Sequence, residues 1–379
     1  MLSWIWTSLN FNLKIEENLV KWTSIVKRNT IVSSIYSDTI SLQDYSFIDV
    51  SGYKKLINQE YAQGKIAIID RSLLDSLFKV IKKYPEGHDF ILCDVFFESP
   101  TEDDPALAST ISSIGNTLFP YQYVGDSIIF PTLSNIPSAY SGYNSSSGIG
   151  LTDSFLKYTL IENDTNVGIS LKMYLEMHDV KVKEILGLVW IDGRPALNTS
   201  ILDIKLEPGV LTDDEGFSKV IPLEEVLSLK NDSLISDLFI KGKIVVIGDF
   251  KDDLHKSIYG AMPGALIIVN TFEAIRRGDV FIKWTLLLFL LVGYTAISYY
   301  IFYYRGGMVE HRIKRFSYPL IGTVGSRLIG FSLTLYVISV ISYFTSGIHL
   351  DILAMATYLS VVSITKRRWH YRKRLSIQF

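Results

Sequence analysis

The stretch KGKIVVIGDFKDDLHKSIYGAMPGALIIVNTFEAIRRGD, residues 241–279, contains a strand pattern, a polar loop and a helix pattern. Residues 244–247 are β-branched and apolar, which is typical of a buried strand. An acidic loop follows, and then Pro263 and Gly264 lead into a helix-like run. A strand, a loop at its carboxyl end and a helix form the repeating unit of open parallel sheets. The stretch therefore predicts an α/β fold.

The rest of residues 40–283 repeats this alternation. Strand patterns that alternate with helix patterns occur at 46–50, 64–70, 89–97 and 118–124. Residues 127–165 are rich in Ser, Gly and Asn and indicate an inserted loop region, while Asp192-Gly193 indicates a type I′ hairpin. We therefore expect a mainly parallel sheet with helices on both faces and a small antiparallel addition.

The loop after Ile247 lacks the features of a nucleotide site. Such a site places several glycines directly after the strand, so that backbone N–H groups approach the phosphates. Residues 248–255 contain one glycine and three aspartates, whose charge would repel phosphate. No GxxxxGK[ST] motif occurs anywhere in the sequence. We expect no nucleotide and no other cofactor.

Acidic residues gather after two of the predicted strands. Open α/β sheets bind ligands at the carboxyl ends of their strands, so these side chains are the candidate ligand-binding residues. The candidates are Asp94, Glu98, Asp249, Asp252 and His255. Together with Asp253, Asp103 and Asp104 they also include hard metal ligands. Acids at strand ends commonly serve as helix caps and solvated loop residues, and we expect no metal site.

No catalytic motif is present in the sequence. HEXXH, GXSXG and CXXC patterns are all absent. The lone Cys93 lies in an apolar run, which indicates a small core residue and excludes an internal disulfide. We therefore expect no catalytic residues and no enzymatic activity.

The charge is divided sharply along the chain. Residues 284–379 carry a net charge of +9, whereas residues 1–283 carry −11. Residues 284–304 contain no charge, and about 20 apolar residues span a bilayer as a helix. A second, longer tract is interrupted by a small polar cluster and predicts two short spans at 328–345 and 350–365, a single tilted helix being the alternative.

Two short basic segments determine the predicted orientation in the membrane. They contain Arg305, Arg312, Lys314 and Arg315, and Lys366, Arg367 and Arg368. Short basic loops remain in the cytoplasm, so residues 40–283 should lie outside the bacterial inner membrane and the C-terminus inside. The basic tail should contact anionic lipids. Residues 1–39 form a lead-in without a usable export signal, so we expect either an additional upstream hydrophobic segment or export driven by the first span.

Several motifs occur here in the order found in one family. The strand closes as Gly242-Lys243 through Gly248, an aspartate loop follows, and Pro263-Gly264 precedes a helix that carries Asn270. Earlier, Asp94-x-x-Phe97 precedes Asp104-x-x-Leu107. This pattern resembles the second type of CHASE domain, an extracellular sensory domain associated with cyclases and histidine kinases. It departs from the family at Val269, where a His is common. The resemblance implies external ligand sensing that is transmitted through three membrane spans.

Two functions agree with these features. The 14 residues after the last predicted span are too few for a kinase or cyclase, so we expect action through partners. The first hypothesis is a non-catalytic, membrane-anchored sensory or accessory subunit that acts through partner proteins of an envelope complex. As a purely structural or assembly subunit, it would have an exposed apolar or aromatic surface, among the tyrosines of 121–143, and no small-molecule pocket. The alternative is a stand-alone sensor for a separate cytoplasmic effector, with a pocket near Asp94 and Asp249. The expected partners are lipids and other membrane or envelope proteins, not nucleic acid; a homo-oligomer is left open.

Overall fold

The computed structural model describes residues 14–29, 40–58, 65–84, 87–124, 127–142, 154–155, 157–163, 165–185, 188–211, 219–229, 239–303, 319–346, 348, 356–362 and 365. Helices α1 to α8 are, in order, Lys14–Asn29, Arg71–Lys82, Asp104–Ile111, Ile169–His178, Leu223–Ser228, Gly264–Arg276, Trp284–Tyr303 and Pro319–Ser346. Strands β1 to β9 are Tyr45–Asp49, Lys54–Asn58, Lys65–Ile69, Phe90–Asp94, Thr117–Val124, Ser127–Ile129, Ser138–Tyr140, Lys157–Thr159 and Ile161–Glu162. Strands β10 to β18 are Asn166–Val167, Val182–Ile185, Leu188–Ile191, Arg194–Ala196, Thr199–Ile201, Val220–Pro222, Ile244–Gly248, Leu254–Ser257 and Gly260–Pro263.

The main sheet has the strand order β15-β1-β16-β4-β5-β6, and β7 pairs with another part of β5. The strands from β15 to β5 are parallel, whereas β6 runs antiparallel to β5. Strands β12 and β13 form a separate hairpin, and its turn residues Asp192 and Gly193 have φ angles of 49° and 72°. The mainly parallel sheet and the small antiparallel addition predicted from the sequence are therefore confirmed.

Helices cover both faces of the sheet because alternate residues of its central strands point in opposite directions. Val246 of β16 packs in a cluster with apolar residues of α4 and α6. Its neighbour Val245 packs on the other face with residues of α2, α3 and α5. All five residues of β16 are buried, as expected for the central strand of a parallel sheet covered on both faces. The predicted α/β layering is confirmed.

The carboxyl ends of three neighbouring strands lie in register. Asp49 of β1 pairs with Gly248 of β16, and Gly248 pairs with Asp94 of β4. The segment between β16 and α6 was predicted as a loop, but it contains the antiparallel hairpin of β17 and β18. This hairpin brings residues 253–255 back over the end of the sheet, next to the first residue of α6.

Two other sequence predictions were incomplete. Residues 127–165 include strands β6 to β9. Two of these pair with strands that are not their neighbours in the chain: β7 pairs with β5, and β8 pairs with β14. The strand predicted at 64–70 pairs with β2 in a separate hairpin and does not join the main sheet. Local composition does not reveal pairing of this kind.

Helices α7 and α8 pack against each other through Ile297, Leu335 and Ile338. The hydroxyl of Tyr343, in α8, donates a hydrogen bond to Asp203 Oδ1 at 2.5 Å, which joins this helix to the α/β domain. Of the helices in the described ranges, none combines the length and the apolarity that crossing a bilayer requires. The basic residues used to predict orientation lie outside the described residues; they are Arg305, Arg312, Lys314, Arg315, Lys366, Arg367 and Arg368.

Candidate functional site

Asp94 is the last residue of β4 and lies at the carboxyl edge of the sheet. Its side chain is only 6% exposed and faces an internal cavity. Among the residues that the structure describes, none donates a hydrogen bond to its carboxyl group. Burial, with a smaller contribution from the charge of Asp253, raises the pKa of Asp94 to about 8. A buried carboxyl group without partners is costly for a fold, and such groups occur more often at functional sites.

Asp253 and His255 reach the same place from the β17–β18 hairpin. His255 Nε2 lies 2.9 Å from Asp253 Oδ1. A β-carbon placed on Gly264, the first residue of α6, would lie 2.5 Å from Asp253 Oδ2, 2.9 Å from Asp94 Oδ2 and 3.2 Å from His255 Nε2. The three side chains therefore converge on a space that only glycine leaves open.

Electrostatics at this point of convergence disfavour charge on each group. Burial, followed by the charge of Asp249, raises the pKa of Asp253. Burial also lowers the pKa of His255, which favours the neutral imidazole. The site can therefore exchange protons with an incoming group, or it can bind a cation that stabilises the ionised carboxylates.

The remaining predicted ligand residues lie elsewhere. Asp249 and Asp252 both pair with Lys54 of the β2–β3 hairpin, at 2.8 and 2.5 Å. Burial acts to raise the pKa of Asp249, but hydrogen bonds from Lys54 and from nearby backbone N–H groups hold it below its ordinary value. Glu98 is exposed and accepts a hydrogen bond from Gln122. Of the five predicted residues, the structure brings together Asp94 and His255.

A cavity of about 600 Å³ opens in front of these side chains; we call it the Asp94 cavity. The first turns of α6 and α4 line one part of it, and residues of β5, β7 and β8 line another. Its aromatic walls are formed by Phe96, Tyr123, Tyr140, Phe155 and Tyr158. The described residues that line it include no Lys or Arg. This volume lies within the range of small-molecule sites.

The tyrosines of 121–143 do not form the exposed aromatic surface expected for an accessory subunit. Tyr121 is buried, and Tyr123 and Tyr140 are half-buried and line the Asp94 cavity. The rings of Tyr123 and Tyr140 meet edge to face at 5.3 Å. Tyr143 lies outside the described residues. This expectation was therefore wrong for the tyrosines that the structure describes.

Other acidic residues at the strand ends support the fold. Asp104 accepts hydrogen bonds from Thr101 and Thr132 and lies next to the buried Arg71, so it fastens the loop that follows β4. Within the described residues, no group of three or more metal-binding side chains could hold a metal ion. The described groups that line the Asp94 cavity include carboxyl, imidazole and aromatic side chains.

Asn270 is a fully buried residue in the middle of α6. Its Oδ1 accepts hydrogen bonds at 2.8 Å from the backbone N–H groups of Lys205 and Leu206. Its Nδ2 donates at 2.9 Å to the carbonyl oxygens of Leu206 and Leu266. The side chain thus replaces sheet hydrogen bonds for a buried irregular segment, and its role is structural.

Sequence reasoning missed the aromatic walls and the role of Gly264. Phe155 and Tyr158 belong to the region predicted as an inserted loop, so no strand pattern directed attention to them. The Pro263-Gly264 pair was recognised as a helix start, but the close approach of three side chains to Gly264 requires the folded structure. Asp253 was recognised as a loop acid, and only the hairpin of β17 and β18 directs it into the cavity.

Comparison with known proteins places the chain in one family. No match was found among curated proteins or among solved structures. A family model described as the CHASE2 domain matches residues 11–299, which is most of the chain. The match includes the sheet, the Asp94 cavity and the start of α7. The chain therefore belongs to the CHASE2 family of extracellular sensory domains, as the residues of its closing segment implied.

Proposed function

We propose that this chain is a sensory protein whose extracytoplasmic domain binds a small molecule in the Asp94 cavity and signals through partner proteins, without enzymatic activity of its own. The observation that carries the proposal is the cavity of about 600 Å³ at the carboxyl ends of the parallel strands. Its wall contains Asp94, whose carboxyl group accepts no hydrogen bond from the described residues. Membership of a sensory family supports the same function.

Helix α6 connects the Asp94 cavity with the C-terminal part of the chain. Gly264, its first residue, lines the cavity, and its last residue, Arg276, lies eight positions before Trp284, where α7 begins. Ser170 of α4 also donates a hydrogen bond to the carbonyl oxygen of Ile268, which couples two helices of the cavity wall. A ligand that shifts the start of α6 would therefore move the segment that enters α7.

We further propose that residues 284–304, 328–345 and 350–365 are membrane spans, with the basic segments in the cytoplasm of a bacterial cell. The support is the charge pattern of the sequence and the family's extracellular location. The single Cys93 is buried, so a Cys93→Ser chain offers a background for accessibility labelling. In this background, the cysteine of a Ser113→Cys variant should be labelled in intact spheroplasts. The cysteine of an Arg367→Cys variant should be labelled only after permeabilisation.

The cavity favours the ligand sensor over a purely structural subunit of an envelope complex. A structural subunit needs an exposed docking surface, whereas Tyr121 is buried and Tyr123 and Tyr140 line the cavity. We propose that the ligand sensor acts through partner proteins, which carry its signal to a cytoplasmic effector.

The test is a thermal-shift screen of the purified full-length protein in detergent with small cationic, neutral and anionic metabolites. At least one compound should raise the midpoint temperature in a concentration-dependent manner, because a ligand that binds only the folded state stabilises it. Ser141→Trp fills the edge of the cavity and should abolish the shift, whereas Ser113→Trp, on the surface, should preserve it. The proposal fails if no compound stabilises the protein or if the shift survives Ser141→Trp.

A further inference from the structure

We propose that the ligand of the Asp94 cavity is an organic ammonium ion, with Asp94 and Asp253 as its counter-ions; this inference rests on the proposed function and specifies its ligand class. The charge of the cavity lining favours a cationic ligand. The ionisable acids and bases of the described wall are Asp94, Asp253 and the imidazole of His255, without a Lys or Arg. Along the described part of the wall, an anionic ligand would meet two carboxyl groups and no cationic Lys or Arg side chain.

The position of the two carboxyl groups strengthens this argument. Asp94 Oδ2 and Asp253 Oδ2 both approach within 3 Å of one point beside Gly264, the point that a β-carbon would occupy there. The two side chains approach the first residue of α6 from the sheet edge and from the hairpin. A positive group between the carboxylates would relieve their repulsion. It would also supply N–H donors to Asp94, which receives none from the described residues.

The remaining walls suit the body of such a ligand. Aromatic faces attract organic cations through their quadrupole, and five aromatic side chains line the cavity. The rings of Tyr123 and Tyr140 are in contact with each other and form one continuous wall. The volume of about 600 Å³ exceeds the needs of an inorganic ion, and the described residues include no metal-binding group of three. These features favour an amine with an apolar body.

The test compares three compounds that share one phenyl-bearing skeleton and differ in charge: 2-phenylethylamine, 2-phenylethanol and phenylacetate. Their dissociation constants are measured by isothermal titration calorimetry at pH 7.5 with the full-length protein in detergent. The amine should bind at least tenfold more tightly than the alcohol or the acid. Asp94→Asn keeps the shape of the side chain and should weaken amine binding at least tenfold.

Asp252→Asn is the matched control. Asp252 belongs to the same acidic segment, but it is exposed and paired with Lys54, outside the cavity wall. Removal of its charge should leave the dissociation constant of the amine within twofold of the wild-type value. Midpoint temperatures of both variants, measured in parallel, distinguish lost binding from lost folding.

Three results would overturn the inference: no saturable amine binding, alcohol or acid binding as tight as that of the amine, or amine affinity unchanged by Asp94→Asn. The thermal-shift screen separates this failure from failure of the proposed function. If a neutral or anionic compound stabilises the protein and Ser141→Trp abolishes the effect, the cavity remains the ligand site and only the ammonium assignment is wrong. If no compound acts through the cavity, both proposals are wrong.

Discussion

Asp94 and Asp253 lie on separate elements, yet their Oδ2 atoms both approach the space beside Gly264. Asp94 comes from the end of a central strand, and Asp253 comes from the segment that enters the β17–β18 hairpin. Two facing carboxyl groups in a partly dry site destabilise each other's charge. The fold tolerates this cost at the one point where the sheet edge, the hairpin and the start of α6 meet. Such an arrangement is expected of a binding site that is completed by its ligand.

Asp94→Asn should make stability less dependent on pH. The folded-state pKa of Asp94, about 8, lies above its ordinary value of 3.8, so its contribution to stability is complete below pH 3.8 and is lost as pH rises toward 8. The amide does not ionise. Between low pH and pH 7, the free energy of unfolding of the variant should therefore rise relative to that of wild type by on the order of 4 kcal/mol, because each pKa unit corresponds to about 1.4 kcal/mol. Thermal unfolding at pH 5 and pH 8 measures the difference.

Other titratable groups surround Asp94, and the comparison must account for them. Asp253 and His255 face it from the hairpin side, and Cys93 is its neighbour in β4. All three groups are retained in the variant. The stability difference between variant and wild type therefore changes with pH mainly because of Asp94. Asp252→Asn is the control, and its stability difference from wild type should be nearly the same at both pH values. An equal effect of Asp94→Asn at both pH values would contradict the assignment.

Gly264→Ala should impair ligand binding more than it impairs folding. The added methyl group would displace Asp94, Asp253 and His255, whose side-chain ends lie 2.5 to 3.2 Å from its position. Alanine favours the helix by up to about 1 kcal/mol relative to glycine, which offsets part of the strain. Binding of 2-phenylethylamine should weaken at least tenfold, as measured by calorimetry. Gly115→Ala, which meets no atom within 4 Å, should leave it unchanged.

Asn270→Ala should destabilise the domain strongly. It removes four hydrogen bonds and leaves backbone groups of the half-buried Lys205 and the buried Leu206 without these partners. We expect a loss of about 3 kcal/mol or more, since each buried unsatisfied group costs roughly 1–3 kcal/mol. Asn198→Ala removes two comparable bonds to Ile161 at a half-buried position and should cost less. Both variants are measured by denaturant unfolding. Equal losses in the free energy of unfolding would contradict the proposed structural role of Asn270.

Tyr343→Phe should loosen the contact between α8 and the α/β domain. The variant loses the 2.5 Å hydrogen bond to Asp203, while the Lys205–Asp203 ion pair at 2.8 Å can persist. Hydrogen exchange of residues 199–206 should therefore accelerate, with little change around the Asp94 cavity. Tyr358→Phe, at an exposed position, serves as the control. Unchanged exchange in the Tyr343 variant would show that this bond does not hold the two parts together.

Much of the fold could be predicted because it depends on local pattern. The continuous apolar run of β16 indicated a strand buried on both faces, and Pro263-Gly264 correctly indicated the start of α6. Asp192-Gly193 indicated its hairpin because both residues need positive φ angles. In each case, residues adjacent in sequence determine the conformation by their own stereochemistry.

The candidate site was predicted only in part, because side chains meet there from distant segments. Asp94 and His255 could be expected near strand ends, and both line the cavity. Asp249 resembled them in sequence, but Lys54 of a distant hairpin draws it away. Sequence spacing does not reveal which acid finds a basic partner and which remains unpaired. The aromatic wall was missed because its side chains also meet from separate segments. Phe96 and Tyr123 lie in predicted strands, and the other three aromatic residues lie in the region predicted as an inserted loop.

The most direct measurement is hydrogen–deuterium exchange of the full-length protein with and without the compound that stabilises it most in the thermal-shift screen. The account predicts slower exchange in peptides that cover residues 94–98, 253–258 and 264–271, because these segments surround the Asp94 cavity. Residues 54–58 and 65–69, the hairpin that carries Lys54, should be unaffected. Protection confined to that hairpin or to α7 and α8, with none around Asp94, would contradict the account.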